Sequence, residues 1–116
     1  MSRDQLYLRH VLDAIAKAER YATVGYDEFM DASHWQDAAI RQLEIIGEAV
    51  KRLSPEIVKR RPDIPWRRIA GMRDVLIHDY MGVDLEAVWQ VTQDDLPKLR
   101  QAIEELLRSQ KPDAAK

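Results

Sequence analysis

An arginine, a histidine and a tyrosine stand close together in segment 73–80 and are the residues of this chain best suited to chemistry. The planar guanidinium of an arginine can bind a phosphate through two donors, and an imidazole can accept a proton near neutral pH. The sequence has no cysteine, and it shows no glycine-rich loop or metal-ligand pattern that competes with this segment. Arg73 and His78 together indicate chemistry on a phosphodiester.

Composition predicts one soluble domain over residues 1–110, followed by a polar tail over residues 111–116. Of the 116 residues, 46% are hydrophobic and 33% are charged, which is typical of globular proteins. No apolar run reaches the length of a membrane span, and the first residues do not resemble a signal peptide. We therefore expect a cytoplasmic protein with no membrane partner. The net charge of −2 argues against non-specific coating of nucleic acid.

Positive charge is concentrated in segment 51–73, directly before the histidine. This segment holds two acidic and eight basic residues, a net charge of +6 in a chain whose total is −2. A local positive field of this kind suits a phosphate-bearing ligand. The alternative is that these side chains are solvated charges at helix ends and in loops. The basic residues are Lys51, Arg52, Lys59, Arg60, Arg61, Arg67, Arg68 and Arg73.

Hydrophobic spacing predicts helices in the first half of the chain. Apolar residues recur at helical intervals over about 4–22, and a short turn around Phe29 should occupy 26–31. Ser33 and Gln36 have the form of a capping box and predict that a second long helix begins there and runs to about Leu53. Gly47 on its buried face predicts a close approach by another helix, because glycine is otherwise unfavourable in a helix interior.

The second half of the chain is also predicted to be helical. Pro65 suits the first turn of a third long helix that carries Leu76 and Ile77 and ends near Gly82. Asp84 should cap a last helical region, in which Pro97 predicts a kink or a restart capped by Asp95. No strand pattern is evident. The sequence therefore predicts an all-α fold, an antiparallel bundle of four to five helices.

A regular third helix would not place Arg73 and His78 side by side. Five residues correspond to about 7.5 Å of helical rise and to different faces of the helix. The arginine side chain could wrap around, the helix could loosen near its end, or two copies could meet and form a shared cleft. The alternative without chemistry is an exposed arginine and a histidine that interacts with the helix dipole.

The residues in and around segment 73–80 resemble the HepT-like toxins of the HEPN superfamily. The family signature Arg-x4-His-x-Tyr corresponds to Arg73, His78 and Tyr80. The family's second helix resembles LEIIGEA at 43–49, and its approach to the active site resembles IPWRRIAGMRD at 64–74. Its closing helix resembles the dipeptides VD at 83–84, VW at 88–89 and LP at 96–97. The resemblance therefore covers nearly the whole chain up to about residue 108.

The resemblance implies a HEPN-like homodimer that acts as a metal-independent ribonuclease, the toxin of a type VII-like toxin–antitoxin system. Arg73 and His78 would be catalytic and RNA would be the substrate. The implied partner is a minimal nucleotidyltransferase antitoxin that transfers AMP from ATP onto Tyr80, in an assembly that can be larger than the dimer. The toxin itself would need no cofactor.

Two further assignments concern polar residues near the signature. The position after the arginine is often asparagine in the superfamily, whereas Asp74 stands here and can only accept a hydrogen bond or orient its neighbour. The basic block supplies four candidate RNA-binding residues. They are Arg60, Arg61, Arg67 and Arg68.

The chemistry of RNA agrees with this interpretation, because the 2′-hydroxyl supplies the nucleophile. A histidine can remove its proton, and a guanidinium can stabilise the charged phosphorane without a metal. Acidic pairs adjacent in sequence do not share a helix face, so we predict no metal site. His10 and His34 are predicted to be structural or exposed, and Trp66 and Trp89 to be packing residues.

Two other function classes fit the same sequence. One is a catalytically silent HEPN binding module that regulates or scaffolds a nucleotidyltransferase, against which the intact Arg73 and His78 argue. The other is a helical adaptor whose exposed faces serve oligomerisation alone, against which the basic block argues.

Overall fold

The computed structural model of the chain describes residues 2–72, 77–78 and 82–109, with only the backbone at Ile77, His78, Gly82 and Val83. Arg73, Asp74, Tyr80 and the tail predicted for 111–116 lie outside the described residues. Helices and strands follow one another as α1 (Arg3–Ala22), α2 (Tyr26–Asp31), α3 (Ser33–Lys51), α4 (Pro55–Arg60), α5 (Trp66–Ala70), β1 (Ile77–His78), β2 (Gly82–Val83), α6 (Leu85–Gln90), a π-helical segment (Val91–Asp95) and α7 (Leu96–Ser109).

The predicted all-α fold is confirmed. Helix α1 packs against α3 and α7, and α5 packs against α3. Because each long helix carries apolar residues three and four positions apart, one side of each is removed from water and contributes to a shared core. The largest fully buried side chains are Phe29, Leu8, Ile15, Leu43, Ile46, Leu96, Ile103, Val11 and Val88.

The first two helices lie where the sequence places them. A capping box begins α1, in which the Ser2 hydroxyl accepts from the Gln5 amide at 3.1 Å and the Gln5 side chain accepts from the Ser2 amide at 3.0 Å. Gly25 precedes α2 with φ of 96°, a conformation that favours glycine. Phe29 is fully buried.

The capping box predicted at the start of α3 is wrong. Ala32 is the N-cap, and Ser33 is already helical. The side chain of Gln36 is buried and donates instead to the carbonyls of Phe29 and Met30, at 2.9 Å each. Gln36 thus binds carbonyl groups near the end of α2, since a buried amide must find partners and these two lie within reach.

The short helix α4 was not predicted, because Ser54 and Pro55 suggested only the end of α3. Ser54 caps α4 with its hydroxyl, and Pro55 occupies the first turn, where a missing amide costs nothing. The carboxylate of Asp4 accepts from the Ser54 amide at 2.9 Å and from its hydroxyl at 2.7 Å. This pair of bonds ties the start of α4 to the first turn of α1.

The last helical region begins as predicted and is interrupted differently. The Asp84 carboxylate caps α6 by accepting from the Ala87 amide at 3.0 Å. Residues 91–95 then wind as a π-helix, and Leu96 continues in helical conformation. Asp95 is therefore inside the helical backbone and not the cap of a restarted helix. Pro97 lacks an amide hydrogen, and the wider π turn directly before it accommodates that missing bond.

Polar contacts join the outer helices. The Glu19 carboxylate accepts from Arg100 and links α1 to α7, and the Glu86 carboxylate accepts from Tyr26 and links α6 to α2. This hydrogen bond raises the pKa of the Tyr26 phenol above its ordinary value. In the part of the chain that the structure describes, no helix is both long enough and apolar enough to span a membrane.

Candidate active site

The signature histidine lies on a short strand and not on a helix. Helix α5 ends at Ala70 with Gly71 as its C-cap, and the backbone at Ile77 and His78 pairs antiparallel with Val83 and Gly82, respectively. The prediction of one continuous third helix is therefore wrong at Gly71 and at Ile77, and so is the expectation of no strand, while Leu76 lies outside the described residues. Gly82 is the residue paired with His78 and does not end a helix.

Two local features explain this difference. Gly71 weakens the helix at its position by about 1 kcal/mol relative to alanine, and the glycine amide bonds back to the Arg67 carbonyl at 3.1 Å. The backbone groups of 77–78 then find their partners in 82–83. Of the residues assigned to catalysis, the structure thus describes the backbone of His78, while Arg73, Asp74 and Tyr80 lie outside the described residues.

Helix α5, which precedes the signature, is fixed to the bundle. A Cβ atom at Gly47 would lie 3.1 Å from the carbonyl oxygen of Ala70 and 3.3 Å from that of Ile69. The close approach predicted at Gly47 is therefore confirmed, and the approaching helix is α5. Trp66 is buried and donates from its indole nitrogen to the Arg61 carbonyl at 2.9 Å, so α5 is held at both ends.

The four arginines assigned to RNA binding differ in their surroundings. Arg61 donates to Asp63, with one bond of 2.8 Å, and to Glu105 at 3.2 Å. Asp63 and Glu105 raise the pKa of Arg61, and the guanidinium holds the pKa of Asp63 below its ordinary value. The fold thus already uses the charge of Arg61.

The other three of these arginines are exposed. Arg68 lies 3.7 Å from the Asp95 carboxylate, and Arg60 lies 3.4 Å from the Ser109 hydroxyl. The Arg67 guanidinium has no hydrogen bond or ion pair with any residue that the structure describes. Of the four, Arg67 is therefore the most available to a phosphate.

Two grooves flank α5, and both reach the residues directly before Arg73. The neutral groove, of about 760 Å³, separates α5 from α6 and α7 and includes Met72. Its floor consists of buried apolar side chains such as Ile69 and Leu99. Its lining carries three cations and three carboxylates: Arg61, Arg68, Lys98, Asp63, Asp94 and Asp95.

The cationic groove, of about 590 Å³, lies on the other side, where α1 and α3 meet the end of α5. It includes Gly71, two residues before Arg73, and the aromatic rings of Tyr7 and His10. Its cations outnumber its carboxylates by three to two. They are Arg41, Lys51 and Arg52, beside Glu44 and Glu48.

Comparison with known proteins identifies the family. The family model described as Ribonuclease HepT-like matches residues 11–106, which include Arg73, His78 and Tyr80. The chain belongs to the HepT-like ribonuclease family. The predicted resemblance is thereby confirmed.

Relatives of known name agree with this assignment. A Caldanaerobacter subterraneus protein that is provisionally named as an RNase is 37% identical over 96% of this chain and all of its own length. A Thermococcus cleftensis protein named probable ribonuclease HepT is 40% identical over 86% of this chain and 92% of its own.

A larger relative shares only part of its length with this chain. It is a Methanocaldococcus jannaschii protein named for gamma-glutamylcyclotransferase activity and, provisionally, for RNase activity. It is 44% identical over 85% of this chain, which spans 45% of that relative. No solved structure matches the chain significantly.

Other predictions about single residues are confirmed. His10 and His34 are exposed, and each ring packs against an aromatic neighbour in α1 or α3. Trp66 is buried, and Trp89 packs against Phe29 with ring centroids 5.3 Å apart. The expected absence of a metal site stays a prediction, and within residues 2–72 and 82–109 no three histidine, aspartate or glutamate side chains converge as a metal-ligand set.

Arg41 and Arg52 line the cationic groove of this HepT-like protein, but neither is among the residues predicted to bind RNA, although Arg52 belongs to the basic block. Arg41 lies ten residues before that block, and Arg52 was counted only toward its total charge. Their spacing in the sequence indicates a shared position, because Arg41, Ile45, Glu48 and Arg52 recur every three or four residues and share one face of α3.

Proposed function

We propose that this chain is a metal-independent ribonuclease whose catalytic residues are Arg73 and His78. The observation that carries the proposal is the family match over residues 11–106, which contains the complete Arg-x4-His-x-Tyr signature.

The proposed reaction uses the nucleophile that RNA provides. His78 takes the proton of a 2′-hydroxyl, whose oxygen bonds to the adjacent phosphorus while the bond to the 5′ oxygen breaks. Arg73 donates to the non-bridging oxygens, on which negative charge develops. A proton from solvent completes the leaving 5′-hydroxyl. The products are a 2′,3′-cyclic phosphate and a 5′-hydroxyl end.

The catalytic assignment is tested by cleavage of RNA in the presence of a chelator. We expect the wild-type protein to cleave, and we expect His78→Ala and Arg73→Ala to lose at least about 100-fold in rate while remaining folded. His34→Ala is the matched control, because its exposed ring lies at the start of α3 and lines neither groove. Cleavage that requires a divalent ion or survives His78→Ala would contradict the mechanism.

We further propose that the protein is the toxin of a toxin–antitoxin pair and works as a homodimer. The partner is a minimal nucleotidyltransferase. In the inactivating step the Tyr80 oxygen bonds to the α-phosphorus of ATP, pyrophosphate leaves, and the phenol loses its proton. The attached AMP brings a phosphodiester anion beside Arg73 and His78, where it repels incoming RNA. Asp74 orients the neighbouring guanidinium as an acceptor.

Co-expression with the proposed nucleotidyltransferase partner tests this regulation. Intact-mass measurement and peptide mapping should find AMP on Tyr80. The modified protein should be inactive in the cleavage assay and still dimeric in sedimentation. Tyr80→Phe should keep cleavage and escape neutralisation. Tyr26→Phe is the control and should still be neutralised, because Tyr26 is exposed and lies far from Tyr80 in the sequence. An adduct on Tyr21 or Tyr26, or full activity of protein modified on Tyr80, would overturn the proposal.

A further inference from the structure

We propose that the cationic groove carries single-stranded RNA to and from the catalytic residues, with Arg41 and Arg52 binding phosphates and His10 stacking on a base. The inference rests on the proposed ribonuclease function and names the path of its substrate. The neutral groove, although larger, is not that path.

The first argument is position. Ala70 and Gly71 line the cationic groove, Gly71 is two residues before Arg73, and two residues of backbone span at most about 7 Å. The groove continues into a recess of about 600 Å³ that shares Glu48, Lys51 and Arg52 with it and adds Arg3. A strand bound along this path leaves the signature and follows α3 toward the start of α1.

The second argument is the spacing of the cations. Arg41 and Arg52 are exposed on one face of α3, eleven residues apart, which is about 16 Å of helical rise. This exceeds the distance between successive phosphates of one strand, so the two arginines contact different phosphates. Neither has a carboxylate partner among the residues that the structure describes. Between them Glu48, whose carboxylate is 3.5 Å from Lys51, disfavours a phosphate at the centre.

The third argument is the exposed aromatic ring. His10 lines the groove with its ring held edge-on by Tyr7, with centroids 5.9 Å apart and planes at 85°. The guanidinium carbon of Arg3 lies 5.8 Å from the centre of the Tyr7 ring. Cations interleaved with aromatic rings are the recurring means of binding single strands, because every base offers a face for stacking. The neutral groove has apolar side chains and internally paired charges in their place.

Anisotropy measurements with a fluorescein-labelled, fully 2′-O-methylated RNA, which resists cleavage, test the phosphate contacts. The double variant Arg41→Gln/Arg52→Gln should bind about tenfold more weakly at about 0.1 M salt, with a salt dependence shallower by about 1.4 in log–log slope, or about 0.7 for each phosphate contact. Arg9→Gln/Arg20→Gln is the matched control, because both residues are exposed on α1 and line neither groove. Its affinity should equal that of the wild-type protein.

Crosslinking of the wild-type protein provides a test that does not depend on the folding of a variant. An RNA with 4-thiouridine at single positions should crosslink to the peptide that contains Tyr7 and His10. His10→Ala should reduce affinity by about tenfold, and His34→Ala should not. Crosslinks confined to the neutral groove would overturn the inference.

The outcomes separate this inference from the proposed function. If the wild-type protein cleaves RNA but Arg41→Gln/Arg52→Gln keeps its affinity, only the inference fails. If that variant loses the dimer and keeps RNA binding, the groove is an interface between copies and the inference fails again. If the wild-type protein neither binds nor cleaves RNA, the proposed function fails as well.

Discussion

Each of the two grooves beside α5 is lined by three basic residues, and the grooves differ in how those charges are used. In the neutral groove, Arg61 binds Asp63 and Glu105, and Arg68 faces Asp95. In the cationic groove, Arg41 and Arg52 have no carboxylate partner within the described part of the chain. A count of charges along the sequence cannot distinguish these situations. The availability of an arginine to a phosphate depends on whether the fold places a carboxylate beside it.

This comparison predicts opposite consequences for substitutions on the two sides of α5. Substitution of the buried or ion-paired residues of the neutral groove should reduce stability and leave the RNA affinity of the folded protein unchanged. Substitution of the exposed arginines of the cationic groove should reduce RNA affinity and leave stability unchanged.

The largest effect on stability is expected for Leu99→Ala in the floor of the neutral groove. Leu99 is 3% exposed, and truncation of a buried leucine costs about 2–5 kcal/mol in lost burial and an unfilled cavity. Chemical denaturation measures this loss. Gln101→Ala, an exposed position in the same groove, should change stability by less than about 0.5 kcal/mol. An altered RNA affinity of folded Leu99→Ala protein would contradict the separate roles of the two grooves.

Gly47→Ala should have the next largest effect, because it acts where α3 meets α5. Alanine is normally the better helix residue by about 1 kcal/mol. Here its methyl group would press on the carbonyl oxygens of Ala70 and Ile69, and overpacking of this kind costs about 1–3 kcal/mol. We expect a net loss of stability in thermal unfolding, together with slower RNA cleavage as the end of α5 shifts.

Gly71→Ala is the matched control for that substitution. A Cβ atom at Gly71 would meet the Arg67 carbonyl oxygen at 3.6 Å, an ordinary contact, so its melting temperature should not fall. Equal stability of the Gly47→Ala and wild-type proteins would show that α5 can move away from α3 at no cost.

Arg61→Gln should have the smallest effect, and the effect should depend on pH. The guanidinium holds the pKa of Asp63 below its ordinary value of about 3.9. A carboxyl whose pKa is lower in the folded state contributes stability above its ordinary pKa, and that contribution disappears as the pH falls through the lowered value. The melting temperatures of wild type and Arg61→Gln should differ slightly at pH 7, and the difference should shrink as the pH falls below the ordinary pKa of Asp63.

Arg108→Gln, an exposed arginine of α7, serves as the control in that measurement. A difference that does not shrink as the pH falls would mean that Arg61 stabilises the protein by packing and not through its carboxylate partners.

The helical fold could be predicted from the sequence where periodicity is long, and local motifs were less reliable. Two Ser-x-x-Gln patterns occur, at Ser2 and at Ser33, and only the first forms a capping box. The second fails because Gln36 is buried and its amide serves the end of α2. A sequence pattern specifies which bonds are possible, and burial selects among them.

The same reasoning explains the error around the signature. Apolar residues at helical spacing from Ile69 to Ile77 predicted one continuous helix. The chain instead ends α5 at Ala70 and pairs Ile77 with Val83, because a two-residue pairing between segments only four residues apart leaves no periodic trace in the sequence. The signature residues were found from their types and from the family pattern, not from predicted geometry.

The chemistry of the cleaved ends tests the central claim most directly. A defined RNA should be incubated with the wild-type protein and a chelator, and its fragments analysed by mass spectrometry. Attack by the 2′-hydroxyl, with His78 as the base, predicts 2′,3′-cyclic phosphate and 5′-hydroxyl ends that are absent with His78→Ala. Fragments with 3′-hydroxyl and 5′-phosphate ends, or cleavage only after addition of a divalent metal, would contradict the account.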